Sequence, residues 1–196
     1  MQTKKVERKN ALLIAATELF SSKGFHDVKL EEVASMAGVG KGTIYTYFRS
    51  KDELLVQCLL HGIPEYEEQV DAILAKSHDF STTFRELIKF RYSISEIKGP
   101  LIRQFMMLGP QLKLSDQEYR SLISAFERNN ERMSGFFSKA LKEKVLKSSL
   151  TPGQMAIMFQ QIFDLNVIFT FYKEPTMQEE EIFNFLIQAF GQTRRS

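Results

Sequence analysis

Apolar residues recur at intervals of three and four along almost the whole chain. No stretch alternates apolar and polar residues with period two between turn signals, so the pattern predicts an all-α fold. Helices are expected near residues 5–23, 30–37, 41–48, 51–75, 80–97, 100–109, 116–146, 152–172 and 177–192. Five places carry a Ser or Thr followed three residues later by Glu or Gln, a pair able to satisfy two free backbone donors at a helix start. They are Ser50 with Glu53, Thr83 with Glu86, Ser115 with Glu118, Thr151 with Gln154, and Thr176 with Glu179. Pro152 suits a first helical position, and Pro64 should kink or break the fourth helix because it removes one backbone donor and crowds the preceding turn. The first three helices are short and close-set, and the later ones are longer and rich in Phe and Met. An N-terminal three-helix domain (residues 1–50) and a larger helical domain (51–196) are expected, joined around residues 51–75.

Leu12, Leu13, Ala16, Leu19 and Phe20 form one stripe, and Leu30, Val33, Ala34 and Ala37 a second; with Phe25 and Val39 they supply a small core. The third helix has little to anchor it. At about 100° per residue, Ile44 and Phe48 lie roughly 40° apart and face inward, whereas Gly42 and Thr46 point away and Tyr45 and Tyr47 project to opposite sides. Such a helix suits a DNA major groove: Thr46 and the bare backbone at Gly42 approach base edges, and the flanking tyrosines reach phosphates. Lys41 adds a charge at the helix start, Lys51 is placed to grip the DNA backbone, and Gly38 is available for the left-handed end of the preceding helix. Together these residues make a helix-turn-helix pattern.

Charge sharpens this picture. The 196 residues carry a formal net charge of +2, but residues 1–51 hold nine Lys and Arg against five Asp and Glu, leaving 17 against 19 elsewhere. The start MQTKKVERKN has no apolar run of the kind that directs secretion. The most apolar segment, residues 155–172, is interrupted by Gln160, Gln161, Asp164 and Asn166, which argues against a membrane span. Cys58 is the single cysteine, so no internal disulfide can form. A cytoplasmic protein is the expectation.

The stretch ALLIAATELFSSKGFHDVKLEEVASMAGVGKGTIYTYFRSKDELL, residues 11–55, resembles the TetR family of transcriptional regulators. The resemblance implies a homodimer, a double-stranded DNA operator with two half-sites, and a C-terminal domain that binds a small molecule and releases DNA. It makes residues 41–48 (Lys41, Gly42 and Thr43 through Phe48) the recognition helix, with Lys41, Tyr45 and Thr46 toward bases and Tyr47 and Lys51 on the backbone. Two positions depart from the family, which usually has Ser or Thr where Lys29 and Gly40 stand. Gly40 still caps a helix acceptably but brings no hydroxyl. Lys29 replaces a hydrogen bond to phosphate with a charge, so contact there should be more salt-sensitive.

Rival readings are weaker. Tyr45 and Tyr47 could simply pack along a domain surface, and Lys4, Lys5, Arg8 and Lys9 could be a solvated run. A phosphate-binding loop fails at Ser35 and Gly42, and a dinucleotide fingerprint fails at Thr43. Cys58 and His61 lie one turn apart, but the remaining histidines are only His26 and His78. No enzyme, cofactor or metal is expected.

The Phe-rich final helices offer more apolar face than one chain easily buries, so a second copy is expected there, with Phe163, Val167, Phe171 and Phe183 as interface candidates. Phe84, Ile88, Phe105, Met106, Phe126 and Met133 could line a pocket for a small hydrophobic effector, with Asn166 orienting it, or could be plain core. The competing function is an architectural DNA-binding protein without an effector.

Overall fold

The computed structural model describes residues 2–76 and 79–191, with side chains except at Gln2, Thr3, Pro110 and Phe171. Every regular element among these residues is helical: α1 (Gln2–Lys23), α2 (Leu30–Met36), α3 (Lys41–Ile44), α4 (Lys51–His61), α5 (Ile63–Ala75), α6 (Phe80–Leu108), a 3-10 turn (Gly109–Gln111), α7 (Asp116–Lys142), α8 (Pro152–Phe171) and α9 (Glu179–Phe190). The chain forms two compact units. Unit 1 combines Met1–Pro64 with Lys98–Leu122, and unit 2 combines Glu65–Ile97 with Ile123–Ser196.

The break expected at Pro64 occurs at Gly62, which caps α4, so that the proline falls in the first turn of α5 where no helical donor is needed. The break expected before Pro100 does not occur. Helix α6 runs through it from Phe80 to Leu108, and burial of Leu101 and Leu108 outweighs the one missing backbone bond. Thr151 and Gln154 form the expected capping box, and Ser115 and Glu118 also cap each other. Two other starts shift. Asp79, not Thr83, accepts from the backbone of Thr82 at 3.2 Å, and Gln178 with Glu181 replaces Thr176 with Glu179 at α9.

Unit 1 is built on the expected stripes. Leu12, Ala16, Phe20, Val33, Ala34, Ile44, Phe48 and Leu54 are buried together, joined by Leu101 and Leu108 from the end of α6. Cys58 belongs to this core, and its thiol donates to the carbonyl of Leu13 at 3.6 Å. Burial pushes the thiol pKa up to about 12, leaving almost no thiolate at neutral pH. His61, three residues on, is exposed. Native protein should therefore resist a thiol-specific reagent and react with one equivalent in denaturant, which absorbance of the released thiolate would follow; rapid native labelling would contradict the burial.

Unit 2 centres on Phe84, which is fully buried. Rings from α7, α8 and α9 surround it: Phe137 at 5.7 Å, Phe159 at 5.6 Å and Phe183 at 5.8 Å. Helix α9 ends at Gly191, whose φ of 71° favours glycine and whose carbonyl accepts from Lys147 at 2.8 Å. A side chain at Gly191 would run into the Lys147 carbonyl.

Candidate nucleic-acid interface

The turn that sets α3 in place is a Schellman closure. Val39 N–H donates to Ala34 at 2.9 Å and Gly38 N–H to Ser35 at 3.1 Å, with Gly38 at φ 67°. Gly40 is extended and caps α3 without a side-chain bond, and Lys29 does the same for α2. Ile44 and Phe48 are buried at 0% and 1%, so the short segment hangs from these two residues as their spacing predicts.

Regular α-helix stops at Ile44, short of the expected Phe48. Thr46 N–H then bonds Thr43, and Tyr47 and Phe48 N–H both bond Ile44, each at 3.0 Å. The first two bonds span three residues, while the Phe48 bond spans the usual four; the tighter winding is that of a stretch of glycine, β-branched and aromatic residues with weak helix preference. It carries the chain through Phe48 and still leaves one face outward. Lys29, Gly40, Lys41, Gly42, Tyr45 and Thr46 are exposed, while Thr43 and Tyr47 are half-buried.

The two tyrosines are not equivalent. Tyr45 is 55% exposed, whereas the Tyr47 ring packs beside Phe48 with centroids 6.4 Å apart. Thr46, which is exposed, donates its hydroxyl to the Thr43 carbonyl at 2.7 Å, which leaves its oxygen as an acceptor. Lys51 reaches back to the carbonyls of His26 and Val28 at 3.1 and 3.0 Å and lies 4.6 Å from the Phe25 ring. Burial lowers its pKa, opposed by Asp27 and Asp52. Two of its three donors are thus spent on the loop before α2. Lys4, Lys5 and Arg8 are exposed on α1, whereas Lys9 turns inward to Gln57 at 3.4 Å.

Arg49 is a base that the motif alone does not single out. It directly follows the Phe48 anchor, its side chain is 80% exposed, and its Nε meets Glu53 at 3.2 Å. Such a surface pair contributes at most about 1 kcal/mol and can yield to phosphate. The usable signal was its place immediately beyond the last inward residue.

The residues expected to line a pocket or interface are scattered. Phe84, Ile88 and Met133 are buried in the unit 2 core; Phe105 and Met106 belong to unit 1, and Phe126 is 43% exposed on unit 2. Ile88 and Phe183 border an open concavity of about 300 Å³, which Arg85 and Glu180 flank. The Asn166 amide donates to the Met177 carbonyl at 2.8 Å and accepts from the Met177 N–H at 3.0 Å, and so ties the segment after α8 to that helix. Phe163, Val167 and Phe183 are buried within unit 2, and the side chain of Phe171 lies outside the described residues. Exposed apolar residues on the same two helices are Ile157, Leu165 and Phe185. Among the described residues, no helix is long and apolar enough to cross a membrane.

Comparison with known proteins agrees with this geometry. Residues 12–58 match the family model "Bacterial regulatory proteins, tetR family". The chain is 36% identical over 75 residues to the HTH-type transcriptional regulator YhgD of Bacillus subtilis (strain 168), covering 38% of this chain and 39% of that protein. With YdgC, an HTH-type transcriptional regulator of the same organism, identity is 22% over 191 residues, covering 95% and 94%. The crystal structure of E. coli NemR in its reduced form superposes with a TM-score of 0.75 at 17% identity, over 96% of this chain and 99% of that one.

Proposed function

Because the chain belongs to the TetR family of bacterial regulatory proteins, we propose that it is a homodimeric, cytoplasmic repressor, released from a double-stranded DNA operator by a small hydrophobic effector. The observation that carries this reading is the exposed face of Lys41, Gly42, Tyr45 and Thr46 on a turn pinned by Ile44 and Phe48. Thr46 and the Gly42 backbone lie against base edges, with Tyr45 beside them. Lys41 and Lys29 meet phosphates or base edges, and Arg49 joins them on the backbone. Tyr47 contributes chiefly its hydroxyl. Lys51 acts mostly by fixing the loop before α2, with one donor left for phosphate. Residues 1–50 serve DNA; residues 51–196 serve the effector and the second copy.

The second copy docks on α8 and α9 through Ile157, Leu165 and Phe185, with Phe163, Val167 and Phe183 backing them from the core. Such a pair would set two recognition segments about 34 to 36 Å apart, one turn of DNA, or further for a longer site. The effector's apolar body is assigned to the aromatic- and thioether-rich faces of α6 and α7. It can release DNA only by binding the DNA-incompetent spacing more tightly. A coupling of roughly 1 to 3 kcal/mol would weaken operator binding about 5- to 150-fold.

Selection from a randomised duplex pool at modest ionic strength should enrich a sequence with two related half-sites; a well-folded protein that retains no duplex would overturn the reading. On the selected site, Lys41→Ala should weaken binding and flatten the dependence of log affinity on log salt by about 0.9, the share of one phosphate. An unchanged slope with altered sequence preference would move Lys41 from phosphate to a base edge.

A further inference from the structure

Unit 2 holds a polar cluster within its apolar interior. Arg91 of α6 follows Phe84, Leu87 and Ile88 at helical spacing, so its guanidinium enters the face those three bury. It lies 5.6 Å from the Tyr66 ring of α5 and 5.1 Å from the Phe163 ring of α8. Its Nη2 donates to the Gln160 carbonyl at 3.3 Å, and the Gln160 side chain accepts from Asn129 of α7 at 2.7 Å. Phe90 stacks on Tyr66 at 5.5 Å and closes one side.

Three buried polar atoms of this cluster have no hydrogen-bond partner: the Tyr66 hydroxyl, Arg91 Nε and Asn129 Oδ1. Interior polar groups are almost always bonded, because each one left unsatisfied costs about 1 to 3 kcal/mol. Tyr66 and Arg91 lie against each other and Asn129 is linked to Arg91 through Gln160, so the three atoms together mark a place where a bound molecule would supply the missing partners. Two of the three are donors, on the guanidinium and on the ring beside it.

We infer that this cluster receives the carboxylate of the effector, which accepts from Arg91 Nε and the Tyr66 hydroxyl while an apolar body lies among Phe90, Phe163 and their neighbours. The inference rests on reading unit 2 as the effector-binding unit. An anion fits better than a neutral acceptor because the guanidinium stays ionised at every accessible pH and the groups it touches directly are the Tyr66 and Phe163 rings and the neutral Gln160 carbonyl. Asp164 is the acidic group within the field of Arg91: burial raises its pKa and the charge of Arg91 lowers it, so an effector carboxylate would share the guanidinium with it. The half-buried Arg91 narrows the small hydrophobic effector to a hydrophobic acid.

The test uses the full chain, its selected operator, and octanoate and 4-phenylbutyrate beside the primary amide of each. The acids should raise the melting temperature and release the operator at concentrations about tenfold or more below those at which the amides act. Arg91→Gln should erase that preference. Tyr66→Phe removes one hydroxyl with little change of shape, so it should weaken acid binding several-fold while the free protein melts as before. Amides as effective as acids, or acids that act equally on both variants, would overturn the carboxylate assignment. So would a protein that binds its operator and responds to none of the four at millimolar concentration, a result that marks the cluster as a water site and leaves the DNA-binding reading standing. Failure to select any operator would instead strike the underlying reading.

Discussion

Gly42→Glu should weaken operator binding by about a hundredfold or more and leave the fold intact. Apart from its chain neighbours and its own helix backbone, no heavy atom lies within 4 Å of where a Cβ at Gly42 would sit, and the residue is exposed and helical, so the core is not disturbed. Glutamate is a better helix former than glycine by roughly 0.5 to 1 kcal/mol, so thermal stability should hold or rise slightly. On the proposed interface, however, the new carboxylate would face phosphates and base edges without a partner, and like charges brought together across an interface cost several kcal/mol. Fluorescence anisotropy with the selected duplex, alongside a melting curve, separates the two effects. Gly42→Ala is the control that isolates shape from charge: moderate loss would point to close backbone approach, and no loss would leave charge as the cause. Parental affinity in Gly42→Glu would mean that this face does not meet DNA.

Phe84→Ala should cost about 3 to 5 kcal/mol, the usual range for deleting a fully buried aromatic side chain. The ring lies between 5.4 and 6.3 Å from six others: Phe80, Phe136, Phe137, Phe159, Phe183 and Phe190. Because they come from α6 through α9, no single neighbour can move to fill the gap without disturbing another helix. With domain stabilities of roughly 5 to 15 kcal/mol, such a loss removes a third or more of the total. Urea unfolding should show the midpoint falling with little change of slope. A loss below about 1 kcal/mol would mean that the core collapses around the vacancy and that Phe84 is not its hub.

What could be read from the sequence follows from what a local pattern encodes. Ile44 and Phe48 were legible as anchors because a turn with two apolar residues has only one way to bury both, and the Ser115 and Thr151 caps were legible because the bond is made within four residues. Where the outcome depended on distant packing, local signs misled. Pro100 looked like a stop, yet Leu101 and Leu108 hold the helix through it. Thr83 had the spacing of a cap but lay inside a helix that Asp79 starts. Core and docking faces are indistinguishable in a Phe-rich amphipathic run, and so Phe163, Val167 and Phe183 could be named for an interface although they are buried within unit 2. Lys51 has the composition of a phosphate contact, and nothing in its neighbourhood of sequence reveals that two carbonyls some 25 residues earlier already hold it. Arg91 was open to detection: a charged residue at the next position of a buried stripe is a local anomaly.

The chain leaves unit 1 after Pro64, returns after Ile97 and departs again after Leu122. Any single cut therefore divides at least one unit, and a fragment ending at Pro64 would lack the Leu101 and Leu108 side chains that complete the N-terminal core. Recombination between relatives at one junction would pair a head with the wrong wedge of hydrophobic residues. The two halves of this protein are thus inherited as an interlaced whole, and a chimera that exchanges its target site must carry the far end of α6 along with α1 to α4.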